Sequence, residues 1–233
     1  MPSLPPGELP RPPTPEAPVH DDHLLLFARL PVAGRVKTRL AAGTSDAFAR
    51  DLYARCAGLV LDALREVEAA RTVHVADAAD VEAMGRFVGP GFRLLPQPAG
   101  DLTTRLEHAF ALAFGEGARK VVVTATDTPG LDAARIRQAL TALDARDAVL
   151  GPATDGGYYL LGLRRPSPTV FQDIRWSTDA VAAQTRARLA ADGLELHELD
   201  PLPDLDTADD LRRFTRARPS HPISAWVRQD GRF

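Results

Sequence analysis

Four short segments of the chain carry residues able to handle a phosphorylated ligand. Residues 29–40 join a turn built on Pro31 and Gly34 to three closely spaced cations, Arg35, Lys37 and Arg39. Cations beside a glycine-containing turn suit a phosphate. The spacing is neither that of a Walker A loop nor that of the dinucleotide fingerprint, and a solvated basic turn is the plain alternative. Residues 124–131 place Asp127 just before Pro129 and Gly130. Such an aspartate either shapes the turn or offers oxygen to a hard cation that shares its coordination with substrate phosphates. Residues 151–162 contain Asp155, Gly156 and Gly157, followed by Tyr158 and Tyr159. Paired glycines let a backbone approach a ligand, and the same tripeptide also makes a hairpin turn. Residues 204–211 hold Asp204, Asp206, Asp209 and Asp210 around Thr207. Asp206 or Thr207 can cap a following helix, with Asp209 and Asp210 in its favourable first turn. Capping does not require both Asp204 and Asp206, whose repulsion a metal ion would relieve.

Each segment follows an expected strand, which is where ligands bind in open α/β sheets. Short apolar or β-branched runs predict strands over 23–29, 72–76, 92–95, 120–124, 148–150, 158–163 and 194–199. Apolar residues at steps of three and four predict helices over 46–67, 79–88, 102–113, 132–143 and 208–216. Ser177 and Thr178 offer caps for a further helix reaching residue 190. Alternating strands and helices imply an α/β fold, a mostly parallel sheet covered on both faces. Tyr158 and Tyr159 open one strand and therefore point to opposite faces, one of them into the core.

Composition narrows the function classes. The 233 residues are 45% hydrophobic and 25% charged, enough for a substantial core. Net charge is -3, from 28 basic and 31 acidic residues, so no positive field is expected to hold nucleic acid. No apolar run is long enough to cross a membrane, no signal peptide is recognisable, and the single Cys56 excludes an internal disulfide. A cytoplasmic globular protein is the expectation. Residues 1–21, rich in proline, are expected to form a disordered leader, residues 22–217 a single domain, and residues 218–233 a tail or a strap held by Trp226. His74 and His197 are expected to be satisfied structural histidines, His108 partly exposed, Cys56 a buried apolar residue, and Trp176 more a packing residue than a stacking one.

The ordered motifs Leu-Pro-x-x-Gly-x-x-Lys-Thr-Arg-Leu (30–40), Thr-Asp-Thr-Pro-Gly-Leu (126–131), Gly-Pro-Ala-x-Asp-Gly-Gly-Tyr-Tyr-Leu (151–160) and Asp-Leu-Asp-Thr-x-x-Asp-Leu (204–211) resemble a bacterial family labelled glycosyltransferase-like, or radical-SAM/selenodomain-associated transferase. That family lies in the nucleotide-diphospho-sugar transferase superfamily of GT-A fold. Phospholactate and molybdenum-cofactor guanylyltransferases are similar at greater distance. The resemblance implies a Rossmann-like three-layer α/β/α sandwich that uses Mg2+ or Mn2+ and a nucleotide. It implies Asp127 and Asp206 as metal ligands, with Asp204 as the substitute for Asp206. Lys37 and Arg39 match the phosphate-holding basic loop that Gly34 turns. Gly100, Asp101 and Arg105 match the segment that meets the nucleotide. The lone Asp127, in place of an Asp-x-Asp pair, is a departure toward nucleotidyltransferases.

Three functions compete at this stage. The first is metal-dependent transfer of a sugar from a nucleotide-diphospho-sugar to a small acceptor, with Asp155 as base and Lys37 stabilising the leaving diphosphate. The second is guanylyltransferase-like transfer of a nucleotidyl group from a triphosphate to a phosphorylated small molecule. The third is a non-catalytic nucleotide-binding protein.

Overall fold

The computed structural model describes residues 20–233. The leader expected over 1–21 lies, except for its last two residues, outside the described residues. Seven strands form one sheet in the order β3-β2-β1-β4-β6-β5-β7. They are β1 (Asp22–Ala28), β2 (Ala70–Val75), β3 (Arg93–Pro96), β4 (Lys120–Ala125), β5 (Ala148–Pro152), β6 (Tyr158–Leu163) and β7 (Leu196–Glu198). Strands β1 to β4 are mutually parallel, β5 and β7 are parallel to each other, and β6 runs antiparallel to β4 and β5. The expected mostly parallel sheet is present, with a hairpin inserted where Asp155, Gly156 and Gly157 turn the chain from β5 to β6.

The helices are α1 (Thr38–Ala42), α2 (Asp46–Arg65), α3 (Val81–Val88), α4 (Leu102–Gly115), α5 (Ala133–Ala145), α6 (Val181–Ala191), α7 (Ala208–Ala217) and α8 (Pro222–Asp230). Period-two alternation in the central strands builds the three layers. Leu24, Leu26 and Val122 pack with Val60 and Leu64 of α2 and Ile136 of α5. Leu25, Val121 and Val123 pack on the opposite face with Phe110 of α4 and Leu189 of α6. Helices α2, α4 and α5 start at caps supplied by Ser45, Asp101 and Asp132, whose side chains accept from a backbone N–H three residues on.

Two expectations need correction. Helix α6 starts at Val181 without a side-chain cap; Ser177 instead has φ +62 and Thr178 donates to the Arg175 carbonyl at 2.7 Å. Both are spent on the turn before the helix. Residues 218–233 are not a loose tail, because α8 buries Ile223 and Val227 against Leu40, Leu52, Cys56 and Phe214. Trp226 stacks on Phe48 at 5.2 Å. The three-four apolar spacing of Ile223, Trp226 and Val227 was the missed helical signal.

Candidate active site

The carboxyl ends of β1 and β4 lie side by side in the sheet, and the segments leaving them meet at Lys37. Tyr53 of α2 fixes the exit of β1, its hydroxyl donating to the Arg29 carbonyl (3.0 Å) and accepting from the Arg29 N–H (2.9 Å). Gly34, at φ +77, then turns the chain, a conformation that costs an L residue about 1 kcal/mol. Lys37 itself adopts φ 48 and ψ 45 at the start of α1, a left-handed conformation uncommon outside glycine. Its side chain is 4% exposed, and its Nζ lies 2.9 Å from Asp127 Oδ1 and 2.6 Å from Asp206 Oδ1. Burial alone would lower the Lys37 pKa; the two carboxylates outweigh it and hold the amine above the ordinary lysine range. Lys37 is therefore a fixed ammonium.

Asp206 reaches Lys37 because its neighbours take the other roles in that segment. Thr207 caps α7, accepting from the Asp210 N–H while Asp210 accepts from the Thr207 N–H. Leu205 is fully buried and its N–H donates to the Asp127 carbonyl at 3.2 Å. With Leu205 turned inward, Asp204 and Asp206 flank it on the cleft side, and both line the cleft with Asp127. Burial first, then the charges of Asp155 and Asp206, push the Asp204 carboxyl up to about 6.

The cleft has two adjoining halves that share Phe27, Arg39, Asp127 and Asp206. One half, about 770 Å³, is lined by five cations, Arg29, Arg35, Lys37, Arg39 and Arg105, with Gln97 at its edge. Arg35 is steadied by Asp77 (3.2 Å) and Asp80 (2.8 Å). Arg105 donates to Gln97 Oε1 at 3.1 Å, and Gln97 donates to the His74 carbonyl at 2.9 Å. The other half, about 570 Å³, lies between the β5–β6 hairpin and residues 176–181. It is lined by Tyr158, Trp176 and Leu106 and by Asp155, Asp179 and Asp204. A wider groove, about 990 Å³, opens near the amino ends of β1 and β4. There Lys120 is paired with Asp22 and Asp144, and none of the four chemistry-bearing segments reaches it.

The model for the family described as "Uncharacterized protein conserved in bacteria (DUF2064)" matches residues 60–178. A phosphoenolpyruvate guanylyltransferase of Chloroflexus aggregans is 30% identical over 79% of this chain and 93% of its own length. The chain belongs to the DUF2064 family. A crystal structure from Desulfovibrio desulfuricans G20, named provisionally a nucleotide-diphospho-sugar transferase, is 31% identical and superposes with a TM-score of 0.86 over 91% of this chain and 96% of that one. A manganese complex of Rv0371c from Mycobacterium tuberculosis H37Rv shares the fold at 20% identity, TM-score 0.52, over 84% of this chain and 97% of that one. The sheet is thus the GT-A-like sheet of nucleotide-diphospho-sugar transferases and nucleotidyltransferases, and the homologue and neighbours of this DUF2064 chain are transferases.

The structure brings Lys37, Arg39, Asp127 and Asp206 together and sets Arg105, Asp155 and Gly157 around the same cleft. Gly34, Gly100, Asp101 and Gly156 are not among the lining residues. Asp101 is occupied in capping α4, accepting from the Thr104 N–H at 2.9 Å, and Gly100 precedes it at φ +120. Gly156, at φ +93, lets the hairpin meet residues 179–182: its carbonyl accepts from the Ala182 N–H at 2.9 Å. Asp155 Oδ1 accepts from the Gly157 N–H at 2.9 Å, so half of the expected base serves its own turn. Arg29, Gln97 and Asp179 were missed by the sequence reading. Asp179 was hidden among cap-forming residues, and Gln97 had only its place after β3 to mark it.

Among the described residues no group of three or more His, Cys, Asp or Glu side chains is disposed to hold a metal ion. Asp127 and Asp206, converging on one cation, still suit a hard divalent ion, which commonly takes one or two protein carboxylates and completes its coordination with phosphates and water. Cys56 is a buried apolar residue, its thiol pushed up to about 12 by burial. His108 is exposed. His74 is 1% exposed and neither ring nitrogen has a partner, so it is structural but not satisfied. No described helix is long and apolar enough to cross a membrane.

Proposed function

We propose that this chain transfers a nucleotidyl group from a nucleoside triphosphate to a phosphorylated small molecule, releasing pyrophosphate. The observation that carries this reading is the buried Lys37 ammonium, clamped between Asp127 and Asp206 where five cations face one half of the cleft. An acceptor phosphate oxygen attacks the α-phosphorus, the bond to the β-phosphate bridging oxygen breaks, and pyrophosphate leaves with the electron pair. The nucleophile is already an anion, so no protein base is needed. The protein's work is alignment and charge neutralisation. Lys37 and Arg39 lie where the two halves join and stabilise charge growing on the phosphates. Arg29, Arg35 and Arg105 hold the triphosphate and the nucleoside. Asp127 and Asp206 would hold Mg2+ or Mn2+, which supplies further neutralisation of phosphate charge.

Two features favour this over sugar transfer. The strand end at Asp127 offers a single aspartate, and Asp155 is tied into its hairpin instead of standing free as a base. The Chloroflexus relative is named a guanylyltransferase, which makes GTP the first donor to test. Sugar transfer has the name of the Desulfovibrio protein in its favour. A thermal-shift panel of triphosphates and nucleotide sugars, each with Mg2+ or Mn2+, separates them. Stabilisation by about 2.7 kcal/mol is expected for GTP at a hundredfold excess over its Kd. Stabilisation by a nucleotide sugar and by no triphosphate would replace this reading with sugar transfer.

A further inference from the structure

The half of the cleft between the hairpin and residues 176–181 has the wrong charge for a second anionic group. Of its lining carboxylates, Asp127 and Asp206 are paired with Lys37. Asp155, Asp179 and Asp204 form no ion pair among the described residues. The lining contains one cation, Arg39, and that side chain already sits 3.6 Å from Asp206. A carboxylate placed here would meet three like charges.

The same half presents an aromatic wall. Trp176 is fixed by its indole N–H, which donates to Thr103 Oγ1 at 2.9 Å. Tyr158 meets it edge-on, with ring centroids 6.4 Å apart at 72°. Phe27 and Leu106 extend the apolar surface. The two acidic walls are locked together, because Gly156 accepts from Ala182 N–H and a Cβ at Gly156 would collide with the Asp179 carbonyl. Aromatic faces beside uncompensated carboxylates, in a cavity of about 570 Å³, are the surroundings an organic ammonium group requires.

Building on the nucleotidyl-transfer reading, we infer that this half receives the ammonium end of the acceptor: an aminoalkyl phosphate or phosphonate, its anionic end toward Lys37 and Arg39 and its cation against Trp176, Tyr158 and the carboxylates that have no ion-pair partner. The covalent step is unchanged. An acceptor oxygen bonds to the α-phosphorus, pyrophosphate departs, and the ammonium group takes no part in bond making.

The test reads binding without catalysis. Trp226→Phe leaves Trp176 as the single tryptophan of the full chain. Its fluorescence is titrated with phosphoethanolamine, phosphocholine, glycerol 3-phosphate and phosphoenolpyruvate, at equal magnesium. The ammonium compounds are expected to bind about tenfold or more tightly than glycerol phosphate, and phosphoenolpyruvate most weakly. Phosphoethanolamine ahead of phosphocholine indicates a primary amine, the reverse a quaternary one. Asp155→Asn with Asp179→Asn should erase the preference while GTP affinity is kept. In a parallel titration followed by calorimetry, Trp176→Leu should weaken phosphocholine and Trp176→Phe should restore part of the loss. Tighter binding of phosphoenolpyruvate, or a preference unchanged in the double variant, overturns the inference. Failure of GTP to bind while the ammonium preference holds overturns only the nucleotidyl-transfer reading.

Discussion

On the β1–β3 side of the cleft three of the five cations are paired with carboxylates, Arg35 with Asp77 and Asp80, Lys37 with Asp127 and Asp206, and Arg39 with Asp206. On the β5–β6 side the carboxylates Asp155, Asp179 and Asp204 have no cation of their own. The first arrangement fixes charge in place before any ligand arrives, which suits the alignment of phosphates proposed for this half. The second leaves charge uncompensated, which costs stability and gives selectivity to whichever ligand brings the opposite sign. Both halves also store backbone strain. Of the three non-glycine residues with positive φ among those described, Lys37 and Ser177 line the cleft.

The sharpest way to break the contrast is to remove the paired charge from the first half. Lys37→Met should lower the rate of pyrophosphate release by about 100- to 1,000-fold, the loss typical of removing one donor aimed at developing oxyanion charge. Asp127 is 43% and Asp206 33% exposed, so water can solvate both carboxylates and the fold should survive. Steady-state kinetics and a melting curve on the same sample check both parts. A variant that keeps near-wild-type turnover would remove Lys37 from the chemistry and leave it a structural clamp.

The next test compares the glycines that shape the two halves. Gly34 and Gly156 both have positive φ, +77 and +93. A Cβ at Gly34 would meet only Asp46 Oδ2, at an ordinary 3.6 Å, whereas at Gly156 it would run into the Asp179 backbone. Gly34→Ala should cost about 1 kcal/mol and Gly156→Ala about 3 kcal/mol. For a chain of this size each kcal/mol lowers Tm by roughly 2–4 °C. Equal losses would mean that the hairpin is free to move off residues 179–182, and that the second half is not the fixed pocket described above.

How far these halves could be read from sequence differs for physical reasons. The strands were legible because β1 and β4 are buried on both faces and their runs are apolar or β-branched. Lys37, Arg39, Asp127 and Asp206 stood out because each lies in the segment that leaves a strand's carboxyl end, Asp127 two residues past β4 and the others farther along their loops. What sequence could not supply was the partner of each charge. Asp206 and Thr207 were equal candidates for the helix cap until the capping box paired Thr207 with Asp210 and left Asp206 to Lys37, 169 positions away. Asp101 carried the family's nucleotide-contacting motif, yet its local hydrogen bonds to Thr104 spend it on a helix cap. The antiparallel β6 was ambiguous because Asp-Gly-Gly serves a hairpin and a ligand loop equally well; here it turns β5 into β6 and sets Asp155 and Gly157 along the cleft.

The smallest effect concerns pH, and in it the two halves point in opposite directions. Behind the first half, burial pushes His74 down to about 4, so its contribution to stability is complete above pH 6.5 and is lost as pH falls through about 4. In the second half Asp204 is pushed up to about 6 from an ordinary 3.8, by burial first and then by Asp155 and Asp206. Its folded pKa lies above the unfolded one, so the stability it contributes is complete below pH 3.8 and is lost as pH rises through about 6. Asp204→Asn should therefore melt higher than wild type above pH 6.5, and the two curves should converge as pH falls through 4. Asp204 is half-buried and partly screened by water, so the gain is about 1 kcal/mol, a few degrees. The measurement belongs in EDTA, because a bound divalent ion would neutralise the repulsion being tested. Asp155→Asn removes one source of that repulsion and should reproduce part of the shift. A melting difference that stays constant from pH 4 to 8 would show that Asp204 carries no uncompensated charge, and the electrostatic contrast between the two halves would lose one of its three carboxylates.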